Sequence, residues 1–428
     1  MMTLRLSMVA LVAGITLHGA NARAQAPRPA PTTAAPTEPG EVSQHEPDRA
    51  GGKRSATEML TPISAEFVGQ HKNLVIKFGD LLDISPGAYF QLRYTLNYRT
   101  DAPGTEDNVT SLFNVPRSRF MLGVRLTPHF RAFARAGTKA NGDFRLERAL
   151  ADLSIWKLRI RFGRLFMALR IPDEFGPHML QAADLSSTDN AFDPGTSHGA
   201  QVRFAHDWFR ATLSVIDGLR TGFSEVLAPI RADVGVGGRF EFLALGKDWG
   251  RFDDQGSFPG SGHGLRVVLA GYYQTGGNTG TTQPLELVYL TGGVHGEFSR
   301  FSLVLNGTGG YVDYKVVAPV WEYSFVAQAG VFVIDHLELW ARFDGVWSDG
   351  NPRPASADPS GTTDFRTVSG GLNLFAFPPT HRVKLQLDFQ YMFDPQATSL
   401  VPTWPNNGVL ATATGQQWAM RVQTVVSF

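Results

Sequence analysis

Residues 117 to 137 read RSRFMLGVRLTPHFRAFARAG and carry Arg117, Arg119, Arg125, Arg131 and Arg135, all on odd positions. Arg159 and Arg161 repeat the two-residue spacing in LRIRF. A guanidinium group is a fixed fork of donors suited to carboxylate or phosphate. In an extended chain, alternate side chains share one face and stand about 7 Å apart, near enough to hand an anion along. From residue 117 to 170, eleven arginines and two lysines stand against only Asp143, Glu147 and Asp152. A surface so charged raises the local anion concentration and lowers the barrier to anion entry. Yet a soluble sheet turns its charges outward, and an unpaired buried arginine is costly. The pattern therefore requires strands with one wet face that is not the outside of the molecule.

The elements that would position these side chains are legible along the whole chain. Beyond residue 70, period-two runs alternate with Gly, Pro, Asn and Asp clusters. In RVKLQLDFQYMF, Val383, Leu385, Leu387, Phe389 and Tyr391 take one face, while Arg382, Lys384, Gln386, Asp388 and Gln390 take the other. Sixteen such runs follow from 87–99 to 415–428, and NLVIKFGD at 73–80 reads as a pairing stub before them. Most connections alternate between short (near Pro128, Trp156, Asp207, Arg300, Asp335 and Pro378) and long. The exceptions are a short outer link at 140–143 and a long inner one at 245–263. Short turns on one side and long loops on the other predict an all-β transmembrane antiparallel barrel of about sixteen strands, its turns in the periplasm. A soluble sandwich would need one core to serve sixteen strands, whereas a closed barrel in lipid pairs every backbone group. The apolar faces then meet outer-membrane lipid and the arginines face the lumen.

Both chain ends fit this layout. Residues 1–24 carry Arg5, an apolar run from Leu6 to Leu17, and Ala22 and Ala24 before Gln25, the signature of a secretory signal peptide. Residues 25–70, rich in Pro, Ala and Thr, predict a disordered periplasmic tether, and residues 71–428 the barrel domain. The last residues place Trp418, Val422, Val426 and Phe428 in alternation, a terminal signal of the kind the bacterial barrel-assembly machinery reads. The chain has no cysteine, so disulfide frameworks and thiolate metal sites are excluded. A net charge of zero gives no case for nucleic acid, and no metal spacing or cofactor is called for.

The segment FRLERALADLSIWKLRIRFGRLFMALRIPDEF, residues 144–175, resembles the phosphate-selective porins O and P. The likeness rests on an acidic and aromatic strand, a short turn, and then Arg161, Phe162, Gly163 and Arg164; the arginine-bearing strand before it and the terminal Phe428 agree. It covers about residues 87–217 and the C-terminus, and is architectural in between. The resemblance implies a bacterial outer-membrane porin of sixteen strands, commonly a homotrimer, whose third outer loop folds inward to narrow the pore. It departs from the family in having eight lysines in all, and in acids on the loop after Phe166: Asp173, Glu174 and Asp184, with Asp189 and Asp193 beyond.

Two readings of the lumen stay open. Arg117, Arg119, Arg125, Arg131, Arg135, Arg159 and Arg161 could serve passing anions, phosphate among them, or could face Asp173, Glu174 and Asp184 across a constriction in a weakly selective general porin. A barrel enzyme is the alternative from another class, resting on Ser197, His198, His206 and Asp207. Adjacent residues on a strand point opposite ways, which argues against a nucleophile and base there, so no catalysis is expected. A plugged, energy-coupled transporter would need a longer chain.

Overall fold

Alternation of oily and polar residues sets the strands, and their lengths match a membrane crossing. The computed structural model describes residues 63–68, 73–79, 82–100, 108–138, 144–167, 169–171, 175–219, 232–277, 285–313, 315, 318–349, 363–395, 408–410 and 416–428. The expected signal peptide, the tether up to residue 62, and Asp173 and Glu174 lie outside these residues. A hairpin of β1 (Ile63–Val68) and β2 (Asn73–Phe78) leads into β3 (Leu82–Arg99). Residues 63–68, which composition places in the tether, thus form a strand, in register from Ile63↔Phe78 to Val68↔Asn73. Its own period-two run, ISAEFV, is the reason.

The barrel continues with β4 (Val109–Arg125), β5 (Phe130–Thr138), β6 (Phe144–Ile155), β7 (Leu158–Phe166), β8 (Thr196–Ala205), β9 (Phe209–Ile216) and β10 (Val234–Leu245). Its second half comprises β11 (His263–Thr275), β12 (Glu286–Phe298), β13 (Phe301–Asp313), β14 (Val320–Ile334) and β15 (Leu337–Ser348). It ends with β16 (Asp364–Phe375), β17 (Val383–Met392) and β18 (Gln417–Ser427). Each strand from β3 onward pairs antiparallel with the next, and β18 pairs back on β3 from Gln417↔Arg99 to Ser427↔Tyr89. The result is a closed sixteen-stranded antiparallel barrel, as the alternation predicts. At the seam, Phe428 and Ala88 exchange backbone hydrogen bonds of 2.9 Å in both directions. No helix among the described residues is long and apolar enough to cross a membrane.

Tight turns close one end. Trp156 and Ser299 begin two-residue turns at left-handed φ of 54° and 62°, the twist that suits adjoining antiparallel strands. The outward face is apolar and exposed at mid-strand, for example Phe120, Leu122, Leu269 and Leu290. In β3 the opposite parity is polar and buried, with Gln91, Arg93, Thr95, Asn97 and Arg99 pointing in. The molecule is therefore oily outside and polar inside, the reverse of a soluble sheet.

Candidate functional site

Strand register carries the arginines to one wall. Gln91 pairs with Arg117 and Tyr89 with Arg119, so both arginines share the inward face of β3. Arg125 stands opposite both Asp83 and Arg131, and Arg131 opposite Asp152. Asp152 pairs in turn with Arg161. A bulge between β5 and β6 pairs Arg135 with Arg148 and Ala136 with Leu146, leaving Glu147 as the extra residue aimed inward. Gly163 is fixed here by geometry: its φ is 124°, and a Cβ would meet the Ala149 carbonyl oxygen at 2.3 Å. That contact is the physical need behind the Phe-Gly-Arg triplet.

Each arginine but one of the seven reaches a carboxylate. Arg119 and Arg135 share Glu147 at 2.6 and 2.8 Å. Arg161 lies 2.9 Å from Asp152, which Arg159 also engages, and Arg125 pairs with Asp83. Arg117 binds Asp184 at 2.8 Å. Arg131 is exposed near the short-turn end. Farther round, Arg203, Arg239 and Arg266 converge on the single carboxylate of Glu241 at 3.3, 3.3 and 3.1 Å. Arginines thus outnumber acids along this wall.

The segment after β7 folds into the lumen. A backbone inside a barrel must find partners for its amides and carbonyls, and the inward polar side chains supply them. Lys384 Nζ donates to the Leu180 carbonyl at 2.6 Å, and Gln386 and Asn373 both donate to that of Gln181 at 2.9 Å. Asp388 accepts from the Ala183 amide at 3.1 Å, and Arg239 donates to the Arg170 carbonyl at 3.0 Å. A five-residue helix α1 (Ser187–Ala191), capped by the Ser186 hydroxyl, donates from Thr188 to Asp344 at 3.3 Å. Asp184 is the central anchor, held by Arg93 at 3.2 Å as well as by Arg117. Burial pushes its carboxyl up, but Arg117 and Arg93 more than offset this and hold it well below the usual carboxylate range.

Further docking bonds come from Ser302 on β13, Gln328 on β14 and Gln423 on β18, so that β3, β4, β10 and β13–β18 all hold the segment. The consequence is a division of the lumen. The side chains of Arg93, Arg239, Arg266, Arg342 and Arg421 are 5% exposed or less, and Arg93, Arg239 and Arg342 bond directly to the inserted segment. Those of Arg117, Arg119, Arg125, Arg135, Arg159, Arg161 and Arg203 keep between 13% and 43%. The acids of the far wall, Glu297, Glu322, Glu338, Asp344 and Asp388, are buried. Of these arginines, those of β4–β8 are therefore the ones left partly exposed inside the barrel.

Three features were missed in the sequence. Arg93 follows the odd parity of FQLRYTLNYR and was readable there. Arg148 was obscured because the bulge shifts parity within β6. Asp388 was readable on the polar face of its run, but its bond to the Ala183 amide, like that of Arg342 to the Asp184 carbonyl, joins residues far apart in sequence and left no local signal. The four residues considered for catalysis divide into two pairs: Ser197 and His198 begin β8, whereas His206 and Asp207 lie beyond its end. At about 3.3 Å per residue the pairs are roughly 30 Å apart. His198 instead faces Asp217 at 3.7 Å.

The overall architecture is similar to that of solved outer-membrane proteins. An anion-selective porin from Comamonas acidovorans aligns with a TM-score of 0.55 and 13% identity, covering 81% of this chain and all of that one. OmpT, an outer membrane protein of Vibrio cholerae in its trimer form, gives 0.53 and 12%, over 81% of this chain and all of its own. OmpF of Salmonella typhi gives 0.52 and 13%, over 82% and 98%. At these identities the likeness shows the shared barrel fold. No family model matches the chain, and no curated protein does.

Proposed function

We propose that this protein is a bacterial outer-membrane porin that lets small solutes diffuse passively, with a preference for anions set by the arginine wall of β4–β8. The observation that carries this reading is the contrast in exposure. The far-wall acids are sealed, and the groups left facing lumen water are arginines that outnumber their carboxylate partners. Arg117, Arg119, Arg125, Arg131, Arg135, Arg159 and Arg161 line the path, and Asp184 holds the inserted segment that narrows it. Phosphate is the anion suggested by the resemblance around Arg161–Arg164. No catalytic role is proposed.

The same reading places export on residues 1–24 and a periplasmic tether on 25–70. It assigns recognition by the assembly machinery to Trp418, Val422, Val426 and Phe428. A homotrimer is proposed by analogy with OmpT in its trimer form. A second reading, a weakly selective porin, draws on the pairing of six of the seven arginines with Asp83, Glu147, Asp152 or Asp184. Reversal potentials of single channels in planar bilayers under a salt gradient separate the two. Anion preference with block by added phosphate supports the first reading, a ratio near unity the second, and absence of conductance overturns both.

A further inference from the structure

The links at the short-turn end are brief except one. Between Leu245 and His263 the chain turns into the lumen instead of crossing the rim. Trp249 pins the entry, its Nε1 donating to the carbonyls of His206 and Asp207 at 3.2 and 3.0 Å, with the Arg210 guanidinium 4.0 Å over its ring. Phe252 follows, packed beneath Arg266 and against His295. Asp254, Gln255 and Ser257 are buried. Phe258 then meets Phe332 and Phe375 at 4.8 and 5.0 Å between ring centroids.

Like Val268 and Val304, which pack against the first segment, Phe332 and Phe375 are apolar residues that point inward. Their neighbours Val331, Val333 and Leu374 are the exposed, outward residues. These two rings meet each other at 5.5 Å, and the third ring on the inserted segment completes a cluster that removes all three from water. Deeper in, the Gln255 amide donates to the Met179 carbonyl at 3.4 Å, and its side-chain oxygen accepts from the Gln181 amide at 3.1 Å. Gln328 on β14 donates to both side-chain oxygens, of Gln181 at 2.7 Å and of Gln255 at 3.1 Å. A segment entering from the short-turn side thus meets one entering from the long-loop side.

We infer that residues 246–262 are a second lumen-filling element. Joined to the first through Gln181 and Gln255, they close the β11–β17 half of the barrel and confine permeation to the arginine wall. The selectivity consequence is direct. Glu297 and Glu338 lie buried on that side, Glu338 also bonded by Gln181 of the first segment, so the two segments together keep two carboxylates away from the permeating solution. This inference rests on the pore reading given above, and the experiments tell the two apart.

Residues 249–260 are replaced by a short Gly-Ser linker, and single-channel conductance and reversal potential are recorded beside the unaltered protein. The expected result is a larger conductance and a reversal potential shifted toward cations. An unaltered protein that conducts, with a variant indistinguishable from it, overturns the inference alone. An unaltered protein that does not conduct overturns the pore reading. Docking is tested independently of conductance and of the variant's folding, because the chain has no cysteine of its own. In a Gln181→Cys, Gln255→Cys double variant held in outer-membrane fragments, a short bismaleimide should produce an internally cross-linked band of altered mobility. Absence of that band, with both cysteines labelled by a small maleimide instead, overturns the inference.

Discussion

Replacing Arg161 with Glu should move the channel strongly toward cations. Arg161 lies 2.9 Å from Asp152, and its side chain is a quarter exposed to lumen water. Asp152 keeps Arg159 as a partner after the exchange, so the wall loses a cation without stranding the acid. One unit charge acting on an ion about 7 Å away in water is worth about 0.6 kcal/mol. A Debye length of about 10 Å at 0.1 M salt roughly halves that value. Arg161→Glu changes the wall by two units, so the anion barrier rises by about 0.6 kcal/mol and the cation barrier falls by as much. The permeability ratio then shifts by about 1.2 kcal/mol, roughly eightfold. Reversal potentials in a salt gradient measure it directly, and the shift should shrink as salt is raised. Arg300→Glu is the control, since Arg300 pairs with Asp335 on an exposed turn outside the lumen. An Arg161→Glu channel with the ratio of the unaltered protein would refute the arginine-wall argument and return these side chains to a neutral lining.

Other outcomes follow from the same geometry. Asp184→Asn leaves Arg93 and Arg117 without their shared charge, and breaking a buried pair costs about 3–5 kcal/mol; a lower unfolding temperature and noisier single-channel currents should report it. Because the folded Asp184 carboxyl is held below its ordinary value, its contribution is fully present above about pH 3.9 and lost only as pH falls further. Channel noise in the unaltered protein should therefore stay flat from neutral pH down to that point, and a rise already at pH 6 would contradict the anchor. Leu269→Arg, at mid-strand on the exposed face of β11, should cost about 2–4 kcal/mol if that face meets lipid; equilibrium unfolding in bilayers measures it, and a neutral result would deny the lipid contact. Deleting Phe428 removes both backbone bonds to Ala88, worth about 0.5–1.5 kcal/mol each. The yield of heat-modifiable folded barrel should fall, and an unchanged yield would remove the terminal residue from closure and assembly alike.

The sequence by itself determined the barrel and the sidedness of its arginines. Strand parity is a local property: once Phe120 and Leu122 commit to one face, Arg117 and Arg119 must take the other, whatever the rest of the chain does. The sixteen runs and the alternation of short and long links are local in the same sense. Only the tertiary structure decided which arginines meet water. Arg93 and Arg119 obey the same parity, yet one is sealed beside Asp184 and the other open beside Glu147. That difference depends on where residues 175–191 and 246–262 run inside the barrel. Neither segment is periodic, and their paths are fixed by bonds such as Gln181 to Gln328 and Lys384 to Leu180, between residues more than a hundred positions apart. No window of sequence contains both partners of such a bond, so it becomes visible only when the sheet has closed.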